Sequence, residues 1–270
     1  MNRIRGFTLV ELVMVIALAG AIAVMIGSVL SRPMQGFVDQ SRRAQLVELA
    51  TVALSRMARD IRLAVPNSVR VSGGARLELL RSPAGVRYRA NLYNGERQNP
   101  PGCTASPCAI EVLTPPSGVD LASIQWLVIY NVGGSVVGDN VWPPLDALRS
   151  VISPNVDVSL SGNTLILSGT GLNGFRFKYA SPQHRLFLAD AVVGYDCPGG
   201  MIRRKEFSTL SATYDYADAV SLIGNVQSCS FRYDAGTAAR GGLVTLQLVL
   251  ASEEGERISL MQQVHVDNAP

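Results

Sequence analysis

From Phe7 to Leu30 the chain carries one charged side chain, Glu11, in an otherwise apolar and small-residue run. As a helix this run extends about 36 Å, enough to cross a hydrocarbon core of about 30 Å. Arg3 and Arg5 precede it, which places the N-terminus on the cytoplasmic side of a membrane. Pro33 follows, where a helix is expected to bend or loosen. Beyond it Val47, Ala50, Leu54, Met57, Ile61 and Val65 recur at spacings of three and four, which predicts one apolar helix face. Asp39–Arg43 and Arg56–Asp60 are spaced for local ion pairs, and Pro66-Asn67 closes the pattern. The prediction is one long helix, half in a membrane and half packed on a domain.

The pattern then changes to strands separated by Gly, Pro and Asn clusters. Residues 86–92 and 175–179 alternate, and 124–130 is a nearly continuous apolar run suited to a buried strand. The end predicts a hairpin: Leu243 to Ala251, a turn through residues 253–256, then Arg257 to Val266. Turn-rich stretches at 94–108, 114–119, 133–144 and 194–201 separate the strands and read as tolerated insertions. Strands do not alternate with helices, so the expected fold class is α+β, with antiparallel sheet.

Composition sharpens this division. The 47% hydrophobic content is ordinary, but it is concentrated in the first thirty residues. The net charge of +3 selects no partner, whereas its distribution is uneven. Residues 32–97 carry 12 arginines against 5 acids, and residues 98–270 carry 10 basic against 15 acidic residues. Such halves arise from solvated faces or from head-to-tail docking of subunits. Cys103, Cys108, Cys197 and Cys229 follow the apolar run, and four cysteines allow three pairings. The short loop bracketed by Cys103 and Cys108 favours pairing those two, leaving Cys197 with Cys229. The competing zinc reading lacks a CxxC, and only His184 and His265 are available. An oxidising compartment is the expectation.

A cleavable secretory signal is the ordinary alternative for the N-terminus, with cleavage after Ala19, Ala21 or Ala23. Two features oppose it. The apolar run continues past those alanines, and Glu11 stands where a signal core is uncharged; a carboxylate there costs a few kcal/mol. A plain anchor meets the second objection too.

Arg5-Gly6-Phe7-Thr8-Leu9-Val10-Glu11 and the run to Leu30 resemble the signal of type IV prepilins: a basic leader, Gly, then Phe-Thr-Leu-x-Glu. The resemblance implies cleavage by a prepilin peptidase between Gly6 and Phe7, N-methylation of Phe7, and a role for Glu11 in assembly. Cleavage creates an amine on Phe7 that enters an apolar filament core, where a carboxylate one helical turn along neutralises it. Removing one partner of such a pair costs about 3–5 kcal/mol. The organisation implied is a leader at 1–6, a transmembrane and filament-core helix at 7–31, an amphipathic helix at 32–66 and a periplasmic β-rich domain at 67–270. That is the α+β, type IV pilin-like arrangement, with an inner-membrane location before the pilus. The implied partners are the peptidase, other pilin subunits, an inner-membrane assembly platform and membrane lipid. Residues 41–46, 59–70 and 263–266 are further similar to minor pilins of mannose-sensitive haemagglutinin (MSHA) pili, of the MshO type. In that family, minor pilins are thought to prime assembly at or near the tip. A type II secretion pseudopilin of the J type, and a tip adhesin or DNA-binding minor pilin, are the alternatives.

Other chemistry finds little support. His184 and Asp190 lack a GxSxG serine, and there is no HExxH or P-loop, so neither catalysis nor a cofactor is expected. Asp196, Asp215 and Asp218 supply too few oxygens for calcium and read as turn acids. Arg70, Arg76, Arg81, Arg87, Arg89 and Arg97, with Tyr88 and Tyr93, form a basic segment able to hold phosphates. Alternating strands place such arginines on solvated faces and no recognition fold is apparent, so that reading is favoured and nucleic acid is a minor alternative.

Overall fold

The computed structural model describes residues 8–93, 95–236, 241–253 and 255–268. Helix α1 spans Leu9–Arg62 in one run of 54 residues, about 80 Å long. It continues through position 33, so the proline does not end it. Its second half buries Leu46, Ala50, Ala53, Leu54, Met57, Ala58 and Ile61. The stripe is wider than the predicted one and rotated slightly, because Val47 is 40% exposed while Leu46 turns inward. Three alanines in it let sheet side chains approach the helix closely.

Seven strands form the main sheet: β1 (Arg70–Ser72), β2 (Arg76–Arg81), β3 (Ala191–Asp196), β4 (Gly200–Phe207), β5 (Val220–Asp234), β6 (Gly242–Ala251) and β7 (Arg257–Val266). Each is antiparallel to the next, in chain order. The predicted terminal hairpin is β6–β7, paired from Gly242↔Val266 to Ala251↔Arg257. Alternation works there because one face packs on α1: Val244, Leu246, Leu248 and Leu250 are buried and share a core with Leu54, Met57 and Ile61. Arg43 lies 3.7 Å from Glu256, and the Asn67 amide N–H donates to Asn268 Oδ1 at 3.1 Å. The helix therefore runs beside β7, about 29 Å of helix from Arg43 to Arg62 against about 30 Å of strand. The sheet curls around it, since Phe231 of β5 donates to Gly74 in the β1–β2 turn at 2.7 Å.

Residues 82–190 are inserted between β2 and β3. Their ends meet, because Arg81 pairs with Ala191 and the two neighbouring strands would otherwise form a simple hairpin. The insertion has its own core, including Ile110, Leu127, Leu165, Phe175, Phe177 and Leu186. A third cluster joins it to the back of the main sheet through Val65, Leu80, Trp126, Val128 and Val192. Strands β2 and β3 are thus covered on both faces.

Several sequence expectations change in this insertion. Of residues 124–130 only Trp126–Val128 is strand, and Tyr130 takes a left-handed φ of 52°. Of 175–179 only Arg176–Phe177 is strand, and it pairs in parallel with Arg149–Ser150. The stretch 194–201, read as a turn, contributes Gly194, Tyr195 and Asp196 to the fully buried β3. Its glycine is needed because the Tyr216 ring lies where a Cβ on Gly194 would stand.

Candidate functional site

The apolar part of α1 is the surface that the rest of the fold does not use. Leu9–Gly27 has a mean hydropathy of 2.7 and none of it is buried, so length and composition suffice for one membrane pass. Gly6 and Phe7 lie outside the described residues. Glu11 lies on the first turn of α1 and is exposed. Thr8 caps that turn: its Oγ1 accepts the Glu11 N–H at 3.3 Å, and its carbonyl accepts the Leu12 N–H at 3.2 Å. Thr8 and Glu11 thus have the spacing of a capping box, a signal visible in Thr-x-x-Glu that the motif reading passed over. A carboxylate also suits the positive end of the helix dipole. Glu11 therefore does not need another subunit to be compatible with its helix, and its outward position leaves it available to one.

A second constellation fixes the other half of α1. Asp60, read from spacing as a partner of Arg56, instead points into the sheet. Its Oδ2 accepts from Tyr195 Oη at 2.7 Å and from Arg204 Nε at 2.8 Å. Arg204 also donates to Glu206 at 2.7 Å, and Arg81 bridges Glu206 at 2.6 Å and Asp190 at 2.8 Å. Asp39 likewise pairs with Arg42 at 3.8 Å, while Arg43 faces Glu256. Burial opposes the Arg204 charge, but hydrogen bonds to Asp60 and Glu206 outweigh it and hold its pKa above the ordinary value. Burial, reinforced by the bond to Asp60, pushes the Tyr195 hydroxyl up. For Glu206, burial is outweighed by the bonds from Arg81 and Arg204, which lower its pKa. The chain Asp60–Arg204–Glu206–Arg81–Asp190 ties the helix to β2, β4 and the start of β3, where packing alone would leave a charge inside.

These pairs also explain the uneven charge. Arg43, Arg76, Arg81 and Arg89 from the basic part meet Glu256, Asp196, Asp190 with Glu206, and Glu111 from the acidic part. Much of the opposite charge is therefore matched inside the chain. The basic segment does not form one stripe: Arg70 pairs with Glu78, while Arg76, Arg81 and Arg89 have the partners just given.

Cys103 pairs with Cys108, with Cα atoms 5.4 Å apart, and Cys197 with Cys229, at 6.6 Å. The first closes a loop in the insertion. The second ties the end of β3 to β5. His184 stacks on Tyr88 at 5.0 Å with Nδ1 3.2 Å from the Tyr88 carbonyl, while Asp190 is held by Arg81. The two are not joined as a catalytic pair. Asp196 binds Arg76 and Arg203, and Asp215 caps the Ala217 N–H, so these acids are committed to local structure.

An exposed apolar helix, long enough for one membrane pass and continuous with a half docked on antiparallel sheet, is an α+β arrangement consistent with a type IV pilin-like fold. Residues 1–29 match the family described as the prokaryotic N-terminal methylation motif. The chain thus carries the N-terminus of a prepilin-like protein, a structural class whose motif implies processing by prepilin peptidase and assembly with other pilins. No curated protein and no solved structure matches the chain.

Proposed function

We propose that the chain is a minor type IV pilin of an MSHA-type pilus, a structural subunit that helps initiate or direct assembly. Prepilin peptidase removes residues 1–6 and methylates Phe7. The mature subunit waits in the inner membrane with 7–31 in the bilayer, 32–66 as the amphipathic helix and 67–270 in the periplasm. It then enters the filament by exchanging lipid for neighbouring helices. The observation that carries this reading is the apolar half of α1, unburied over Leu9–Gly27 yet continuous in one helix with the docked half. A subunit built this way transmits the position of its domain directly to the filament core. Glu11, exposed on the first turn, neutralises the Phe7 amine of the same or a neighbouring subunit.

Similarity of residues 41–46, 59–70 and 263–266 to MshO-type minor pilins supports the particular pilus. Deletion of the gene with counting of this subunit in sheared filaments tests the role. Few copies per filament, with piliation lost on deletion, are expected. Abundant copies, or normal piliation without it, contradict a minor assembly subunit.

A further inference from the structure

Strand β7 ends the main sheet, and among the described residues no further strand pairs with its outer edge. The Ser252 N–H donates to the Glu256 carbonyl at 2.8 Å, which makes 252↔256 a bonded pair of the terminal hairpin. The register then sends the backbone groups of Ile258, Leu260, Gln262, Val264 and Val266 to β6. Arg257, Ser259, Met261, Gln263 and His265 aim theirs outward, and all five residues are exposed. Among the described residues, no hydrogen bond from beyond the sheet reaches those N–H and C=O groups. Proteins shield such an edge with proline, a bulge or charged side chains, or keep it short. Here residues 257–266 contain no proline, their pairing with β6 has no register shift, and Arg257 at one end is the single Asp, Glu, Lys or Arg. The opposite edge strand, β1, has three residues.

Two further observations bear on what fits there. Arg43–Glu256 and Asn67–Asn268 tether α1 and β7 in the same direction. Two copies joined antiparallel through β7 about a twofold axis would therefore point their apolar helices opposite ways. Leu9–Gly27 of both could not then enter one membrane from the same side. The seam between β7 and α1 is also incompletely filled. Leu260 and Gln262 face the helix yet are half-buried, and Val47, one turn on from Arg43, is 40% exposed. A strand laid on the edge brings an apolar side chain over that seam.

We propose that β7 takes up a strand from a neighbouring pilin of a different kind, extending the main sheet by strand addition. The donor is a pilin because an upright subunit, its apolar helix beside the uncovered half of α1, holds its own domain alongside β7. It is of a different kind because a minor subunit, present in few copies, has unlike neighbours. The added strand is uncharged in its middle, apolar on the side facing α1, and free of proline where it bonds to β7. The inference rests on the minor-pilin reading.

The test places p-benzoylphenylalanine at position 261 of the full-length chain, in cells that make the whole pilus. Met261 is 66% exposed, and a side chain there stands beside that of the residue opposite it on an added strand. Illumination is expected to yield a cross-linked peptide from another protein that carries a methylated prepilin-type N-terminus. Met261→Pro deletes an outward N–H and spares the bonds to β6. It is expected to enter sheared filaments at least about tenfold less than Met261→Ala. If the proline variant fails to fold, the cross-link decides alone. A cross-link to a second copy of this chain, to a protein outside the pilin class or to nothing overturns the proposal, as does full incorporation of a folded M261P. The N-terminus is read in the same cells: methylated Phe7 without the cross-link refutes strand addition alone, whereas retained residues 1–6 refute the prepilin reading and this inference with it.

Discussion

Asp60 carries a disproportionate share of the helix–sheet junction, because it is the acid at which a helix residue, a strand hydroxyl and a guanidinium meet. Asp60→Ala removes hydrogen bonds to Tyr195 and Arg204, although Arg204 retains Glu206. The expected loss is about 2 kcal/mol in urea unfolding, against about 1 kcal/mol for Tyr195→Phe. Equal, negligible losses would show that the apolar face alone docks the helix. The acid end of the pH scale probes the same network. Glu206 has a folded pKa below its unfolded value, so its contribution is present above the unfolded carboxylate range and disappears as pH falls through the folded value. The melting temperature should therefore fall on acidification below about pH 4.5, and less steeply in Glu206→Gln. Spacing alone suggested an Arg56–Asp60 pair. Local periodicity cannot report that a sheet places Arg204 beside the inward side of the helix, which is why this junction was not legible.

Among the elements, α1 and the β6–β7 hairpin were the most legible. Each meets its main partner on one face, so periodicity records burial directly, with only the small rotation from Val47 to Leu46. The short strands of the insertion were less so. Residues 124–130 are apolar apart from Gln125 because clusters lie on both sides of them, and such a run does not mark where pairing stops. The two disulfides act on elements of different reach. Their sequence separations are 32 for Cys197–Cys229 and 5 for Cys103–Cys108. Loop-closure entropy predicts losses of about 4 and about 2 kcal/mol respectively when each is replaced by a Ser pair. A peptide map under non-reducing conditions should recover those two pairs, and cross-pairing would overturn the assignment.

For the whole molecule, the division is between a helix-and-sheet unit and the insertion at 82–190. Nothing in local sequence announces that Arg81 and Ala191 are neighbours, since their pairing depends on a separation of more than one hundred residues. Joining Arg81 to Ala191 by Asn-Gly is expected to preserve the helix content by circular dichroism while lowering the melting temperature. The loss follows from uncovering Val65, Leu80 and Val192. Collapse of the helix signal would show that the insertion is required for the unit to fold. The N-terminal motif, by contrast, is local: residues 1–29 match the methylation-motif family and need no tertiary partner to be recognised. Under the proposed function its apolar helix is covered first by lipid and then by other helices. Mass spectrometry of the native protein's first peptide tests that account most directly. The expected product begins with N-methylated Phe7, whereas retention of residues 1–6 or a start after Ala19, Ala21 or Ala23 would contradict it.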